Sequence, residues 1–153
     1  MENSEKQLAI IEVFATGIFR LTYALYVTDK RMAFIHCKPS KTVTGAYFVG
    51  GIAGALVAAA IEESKAKKRI SPAIDELLLK DKKNFAILYE NIEKIQLTER
   101  LLSCQLNIKL NDSQKEFRVD NTPFYHLCSL VQGIDLLKGK FIIRTGRQGK
   151  TIQ

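Results

Sequence analysis

The residues able to do chemistry are few in this sequence and poorly grouped. The chain has two histidines, His36 and His126, and three cysteines, Cys37, Cys104 and Cys128. His36 and Cys37 are adjacent in a predicted strand, so their side chains point to opposite faces and would poorly share a metal ion. His126 lies off the apolar stripe of a predicted helix, which indicates exposure to solvent. No Ser-His-Asp or Cys-His set can be assembled, and we predict a protein that is not an enzyme and uses no metal or cofactor.

A phosphate-binding loop is not indicated either. The segment GGIAG at 50–54 supplies glycines, but no lysine follows it and no strand precedes it. The odd number and uneven spacing of the cysteines favour a reducing compartment. The N-terminal segment MENSEKQLAI is polar and mixed in charge, without the apolar centre of a secretory signal. These features predict a cytoplasmic protein, with peripheral attachment to the inner face of a membrane as one form of that location.

The charge balance favours anionic partners. The formal net charge is +7 and the pI is near 9.4, which permits binding to anionic lipid, nucleic acid or an acidic protein. The excess lies in the run KAKKR at 65–69 and in a basic tail over 139–153, with Lys138 just before it. A solvated, solubilising surface is the alternative for both runs. Only Phe141 stands among the basic residues of the tail, so a stacking platform is weak and nucleic acid is the less favoured partner.

Alternating apolar residues predict two groups of strands. Residues 18–27 place one apolar set on a single buried face, with Tyr26 on the opposite face: Phe19, Leu21, Tyr23, Leu25 and Val27. The turn TDKR then leads to a second strand at 32–37, which makes a hairpin. The later group is 91–98, 101–110 and 115–120, and its cleanest alternation is Leu102, Cys104, Leu106, Ile108 and Leu110. Their closeness in sequence predicts antiparallel pairing. Residues 9–17 are a further strand or a short helix.

Helices are predicted in two places. From Thr122 and Pro123 onward, one apolar stripe follows helical spacing: Phe124, Leu127, Cys128, Val131 and Ile134. Residues 39–84 are too many for an unstructured loop inside a compact domain, so they predict a helical insert. Its second part begins a helix at Ser71 and Pro72, with Ile74, Leu77 and Leu78 as the apolar face. The sequence therefore predicts a single α+β domain over 1–153, with an antiparallel sheet closed by the C-terminal helix.

The order of these elements resembles a known family. YALYVTDKRMAFI at 23–35 is similar to the strand–turn–strand signature of bacterial pleckstrin-homology-like and GRAM-like domains, in which a Thr-Asp-x-Arg turn joins two strands. FAILYENIEKIQLT at 85–98 resembles the element that follows, and the resemblance covers about residues 18–38 and 85–137. It implies a partly open barrel capped by the helix, and a binding module. Lipid-binding members cluster basic residues in one hairpin loop, whereas here the corresponding turn offers Lys30 and Arg31.

The most unusual stretch is GAYFVGGIAGALVAAAIEES at 45–64. From Val43 to Ile61 there are 19 residues without a charge, and at about 1.5 Å per residue a helix of that length just spans a hydrocarbon core. A single span would separate the two strand groups that must share one sheet. The remaining interpretations are a helix packed on its own domain, on another subunit, or on a membrane surface.

Two functional hypotheses follow. The first is a non-catalytic binding or scaffolding module that contacts an anionic membrane surface through the apolar insert and its basic flank. The contact residues would be Phe48, Ile52, Leu56, Lys65, Lys67, Lys68 and Arg69. The alternative is a protein–protein module that self-associates, because Gly50, Gly54 and Ala58 recur every four residues and let two helix backbones approach closely.

Overall fold

A computed structural model describes residues 4–17, 20–37, 71–146 and 150–152. Contacts between residues divide the chain into two compact units, one from residues 1–12 and 22–86 and one from residues 13–21 and 87–153. The described residues contain nine strands and two α-helices, so the fold class is α+β. The single domain over 1–153 stays a prediction.

In the residues that the structure describes, the first unit is a sheet covered by a helix. Its elements are the first part of β1 (Gln7–Ala15), β2 (Thr22–Thr28), β3 (Arg31–Cys37), α1 (Ser71–Leu79) and the start of β4 (Phe85–Leu88). The strand order is β4-β3-β2-β1, and β2 and β3 form the predicted antiparallel hairpin. Helix α1 begins where the sequence predicts, and Ile74 is buried with Leu77 and Leu78 packed beside it.

Strand β2 buries both of its faces, which corrects the prediction of one buried face. Tyr23 lies on one side against Phe34 and Phe85. Ala24 and Tyr26 lie on the other side, in the apolar cluster that contains Ile74 of α1. Tyr26 is therefore buried, because a helix encoded about fifty residues later covers the face that local alternation leaves to solvent.

The second unit is a sheet with α2 on it. Its elements are the end of β1, a 3-10 turn at Tyr89–Asn91, β5 (Ile92–Glu99), β6 (Cys104–Leu110), β7 (Gln114–Val119), α2 (Asn121–Gly133), a 3-10 turn at Asp135–Leu137, β8 (Phe141–Thr145) and β9 (Lys150–Ile152). The strand order is β1-β7-β6-β5-β8-β9. The predicted apolar stripe of α2 is buried and contacts β5, β6 and β8.

Two features of the second unit depart from the sequence predictions. Strand β8 pairs with β5 in parallel, so the sheet is mixed rather than antiparallel, and part of the basic tail belongs to it. The parallel direction arises because the chain crosses over through α2 before it returns to the sheet. The strand predicted over 101–110 begins only at Cys104, and Leu102 lies in the preceding turn with its side chain exposed.

Candidate functional site

The insert residues predicted to contact a membrane or a partner lie outside the described residues. They are Phe48, Ile52, Leu56, Lys65, Lys67, Lys68 and Arg69, together with the self-association residues Gly50, Gly54 and Ala58. The structure does describe what precedes and follows this segment. Strand β3 ends at Cys37 and α1 begins at Ser71, and both belong to the first unit.

Arg31 connects residues on the two sides of that segment. Its Nε donates to Oε1 of Glu5 at 2.8 Å and its terminal NH2 nitrogen donates to Oε2 of Glu5 at 2.9 Å. The same NH2 nitrogen donates to Oδ1 of Asp75 in α1 at 2.7 Å. The Arg31 and Glu5 side chains are 15% and 6% exposed. The guanidinium therefore holds the N-terminal segment and α1 against the β2–β3 turn.

The neighbouring hydroxyl of Thr28 completes this network. It donates to Oε1 of Glu5 at 2.6 Å, and it accepts the backbone N–H groups of Lys30 at 3.1 Å and Arg31 at 2.9 Å. Asp29 accepts the backbone N–H of Lys6 at 2.9 Å through Oδ1. Thr28 thus closes the turn through its own backbone, as Thr often does in turns, whereas Asp29 ties the turn to the N-terminal segment.

The electrostatics of Arg31 favour a structural role. Burial acts to lower the pKa of the guanidinium, but hydrogen bonds to Glu5 and Asp75 outweigh it, and the pKa is raised above its ordinary value. An arginine held by two carboxylates presents little charge to a phosphate. The sequence predicts two basic residues in the hairpin turn. The Arg31 side chain is bound by carboxylates of its own unit. The backbone N–H of Lys30 donates to the hydroxyl of Thr28.

His36 makes a second connection between the two sides of the segment 38–70. Its Nδ1 lies 3.0 Å from Oδ2 of Asp81, and its backbone N–H donates to Oδ1 of Asn84 at 2.6 Å. Asn84 in turn donates from Nδ2 to the carbonyl of Leu77 at 2.7 Å. His36 and Cys37 lie on opposite faces of β3, as predicted, because Cys37 packs toward Ile74.

The aromatic ring that contacts the His36 side chain belongs to a cluster of aromatic side chains. The Tyr23 ring lies edge-on to His36 at 5.8 Å, and the rings of Phe34 and Phe85 are stacked at 4.6 Å. Burial first, and then the negative charge of Asp81, raise the pKa of Tyr23 above its ordinary value. Across the described ranges, no group of three or more His, Cys, Asp or Glu side chains is arranged to hold a metal ion.

The second unit presents an apolar turn that sequence reasoning missed. Leu101 and Leu102, here named the leucine tip, are 81% and 94% exposed between β5 and β6. The sequence does contain a signal for this turn. Two consecutive leucines interrupt the alternation between two predicted strands, at a position where the chain must turn. Because Leu102 also fits the alternation of the following residues, the prediction placed it in the strand.

The base of the leucine tip is braced by Glu99, the last residue of β5. Its Oε1 accepts the hydroxyl of Tyr125 in α2 at 2.6 Å, and its Oε2 accepts the backbone N–H of Gly146 at 2.9 Å. These two hydrogen bonds lower the pKa of the Glu99 carboxyl, and the first of them raises the pKa of Tyr125. One carboxylate thus joins the β5–β6 turn, α2 and the turn after β8.

The basic tail is partly engaged in the second unit. Lys138 pairs with Asp135 at 2.7 Å, and Nζ of Lys140 donates to the carbonyl of Tyr89 at 3.1 Å. Arg144 is exposed in β8, opposite Thr98 of β5. Phe141 is half-buried in the same strand. The aromatic residue of the tail therefore serves the sheet rather than standing free beside the cations.

The three cysteines are buried thiols, and we expect them to react slowly in the folded protein. Burial, then the proximity of Cys104, raises the pKa of Cys128 to about 12. Burial also raises the pKa of Cys37 and Cys104. Because the thiolate is the reactive form, modification by Ellman's reagent at mildly alkaline pH should be at least ~100-fold slower in the native than in the denatured protein. A cysteine that reacts natively at the denatured rate would contradict this assignment.

No family model, curated protein or solved structure matches this chain. A search of the described helices finds none that is both long and apolar enough to cross a membrane.

Proposed function

We propose that this chain is a non-catalytic binding or scaffolding module of the pleckstrin-homology-like or GRAM-like type. In this proposal it contacts an anionic membrane surface from the cytoplasmic side, through residues 43–69. The architecture is supported by the β2–β3 hairpin with its Thr-Asp-Lys-Arg turn, and by the succession β5, β6, β7 and α2. The observation that carries the mode of contact is the pair of connections that Arg31 and His36 make across the segment 38–70.

These connections constrain how the insert could meet a membrane. Arg31 and Asp75 are in contact at 2.7 Å, and His36 and Asp81 at 3.0 Å, although the segment 38–70 separates them in sequence. A single crossing between Val43 and Ile61 would place the members of both pairs on opposite sides of a bilayer. A membrane contact that keeps both pairs therefore approaches the bilayer from one side, as a peripheral module does.

The composition of the insert supplies the two kinds of attraction that such a contact needs, one apolar and one electrostatic. Phe48, Ile52 and Leu56 offer apolar area, and the run KAKKR at 65–69 offers four positive charges. Each basic residue near an anionic surface contributes about 1 kcal/mol, and this term weakens with salt. Neither the apolar contact nor the charge attraction alone gives firm attachment, so the proposal requires both.

Replacing residues 43–69 with a short Gly/Ser linker should abolish flotation of the protein with anionic vesicles. The wild type should float with vesicles that contain phosphatidylglycerol and stay in solution with phosphatidylcholine alone. The linker variant must first show the wild-type circular dichroism spectrum in the strand region, since Arg31–Asp75 and His36–Asp81 lie outside the replaced segment. A folded linker variant that floats as the wild type does would remove the insert from the proposal.

Self-association is the second candidate, favoured by the four-residue spacing of Gly50, Gly54 and Ala58. Replacing Gly50 and Gly54 with leucine separates the two candidates, because bulk on the small face blocks helix–helix approach but adds apolar area. Sedimentation should then show loss of the oligomer if the insert mediates self-association. Vesicle binding that persists or strengthens in the same variant supports the membrane contact.

A further inference from the structure

The leucine tip is not explained by turn chemistry. It occupies the centre of a four-residue connection in which the backbone N–H of Arg100 donates to the carbonyl of Ser103 at 3.0 Å. Glycine, asparagine and aspartate are the residues that tight hairpin turns prefer. Two other hairpins carry such residues, with Asp29 in the β2–β3 turn and residues 111–113, Asn-Asp-Ser, in the β6–β7 turn.

Packing does not explain the leucine tip either. Leu101 and Leu102 are 81% and 94% exposed, so neither contributes to the core of the second unit. Exposed leucines at a turn lower solubility, and these two add nothing to the packing of the core. A local rule broken without structural compensation is typical of a functional site.

The surroundings of the leucine tip suit a membrane surface. Arg100 is exposed directly beside the leucines, and Arg144 is exposed on β8 near the same end of β5. Tyr125, a side chain of the kind found at membrane interfaces, is half-exposed and hydrogen-bonded to Glu99. Two acids lie in the same region: Glu99, which accepts two hydrogen bonds from uncharged donors and keeps its negative charge, and Asp120, which is exposed before α2. Because Glu99 is hydrogen-bonded to α2 and to the turn after β8, the turn that carries the leucines is held in place.

We infer that Leu101 and Leu102 insert into the surface of an anionic membrane, with Arg100 and Arg144 at the level of the lipid phosphates. Two leucines are far too small a surface for a stable protein interface, which buries about 1,000 Å² or more. They are sufficient to anchor a turn at the boundary between headgroups and acyl chains. The inference rests on the proposed function for the class of partner, but it uses different residues in the other unit.

A tryptophan reporter tests the inference directly, because the chain contains no tryptophan. In Leu102→Trp, the emission should shift to the blue on vesicles of phosphatidylcholine and phosphatidylglycerol, and brominated lipid should quench it. Leu136→Trp is the matched control. Leu136 is 54% exposed in the 3-10 turn that contacts Tyr89–Asn91, at the end of β5 away from the leucine tip. Its emission should not change with vesicles.

A loss-of-contact variant supplies the second readout. Leu101→Ser with Leu102→Ser should lower the vesicle partition coefficient by about tenfold, since two apolar side chains leave the interface. Leu136→Ser should leave the partition coefficient unchanged. Both sets of exposed side chains can be replaced without disturbing the core.

The outcomes separate this inference from the proposed function. If the protein floats while the emission of Trp at 102 stays unshifted, the inference fails and the insert remains the contact. If the linker variant still floats and still shows the shift, the proposed role of 43–69 fails and the leucine tip stands. An equal shift on phosphatidylcholine alone would overturn the requirement for anionic lipid. A lipid-free oligomer that is lost in the serine variant would replace the membrane with a second copy of the chain.

Discussion

Replacing Arg31 with alanine is expected to lower the free energy of unfolding by about 3–5 kcal/mol. The carboxylate of Glu5 is almost fully buried, and Arg31 gives it two of its hydrogen bonds. Removing the guanidinium takes both of these donors away from a buried carboxylate that also accepts the hydroxyl of Thr28. It also releases Asp75, and with it one attachment of α1 to the sheet. Urea unfolding followed by circular dichroism measures the loss.

Two further variants serve as controls for the Arg31→Ala result. Arg31→Lys keeps the charge but loses the two-pronged geometry, so its loss of stability should be smaller. Lys109→Ala removes an ion pair of similar length, 3.1 Å to Glu93, between two half-exposed side chains. Such a surface pair contributes at most about 1 kcal/mol. A loss for Arg31→Ala no larger than that for Lys109→Ala would show that the network is not a buried anchor.

Replacing Phe34 with alanine is expected to lower the free energy of unfolding by about 3–5 kcal/mol. The ring is fully buried in β3, stacked on Phe85 at 4.6 Å and edge-on to Tyr23 at 6.2 Å. Its removal would leave a cavity in the aromatic cluster of Tyr23, Phe34 and Phe85. Denaturant unfolding is again the measurement.

A size series around Phe34 provides the control. Phe34→Leu keeps most of the volume and should lose clearly less stability than the alanine variant. Phe14→Ala removes a half-buried ring that lies under the guanidinium of Arg118 at 4.8 Å, and its effect should also be smaller. Equal losses for Phe34→Ala and Phe14→Ala would contradict the assignment of Phe34 to a closed core.

Local patterns were sufficient to predict most individual elements. Alternation located β2, β3, β5 and β7, and helical spacing located α1 and the buried stripe of α2. These patterns depend on which side of a single element is apolar, and that information lies within a few consecutive residues. The hairpin of β2 and β3 was predictable for the same reason, because its turn chemistry is local.

What the sequence did not predict depends on residues far apart in the chain. The second buried face of β2 depends on α1, and the parallel pairing of β8 with β5 depends on the crossover through α2. The contacts of Arg31 with Glu5 and Asp75 join three separate segments. The leucine tip was missed because alternation continues through Leu102 although the chain turns there, and turn position is set by the pairing of Glu99 with Cys104.

The most direct test of the account is the partition of the full chain onto vesicles as the fraction of anionic lipid is increased, at low and at high salt. Electrostatic attraction of basic residues to the surface is screened within roughly 10 Å at moderate salt. We therefore expect partition to rise steeply with the anionic fraction and to fall when salt is raised. Partition that is absent, or that is indifferent to both anionic lipid and salt, would contradict the claim that this protein binds anionic membranes.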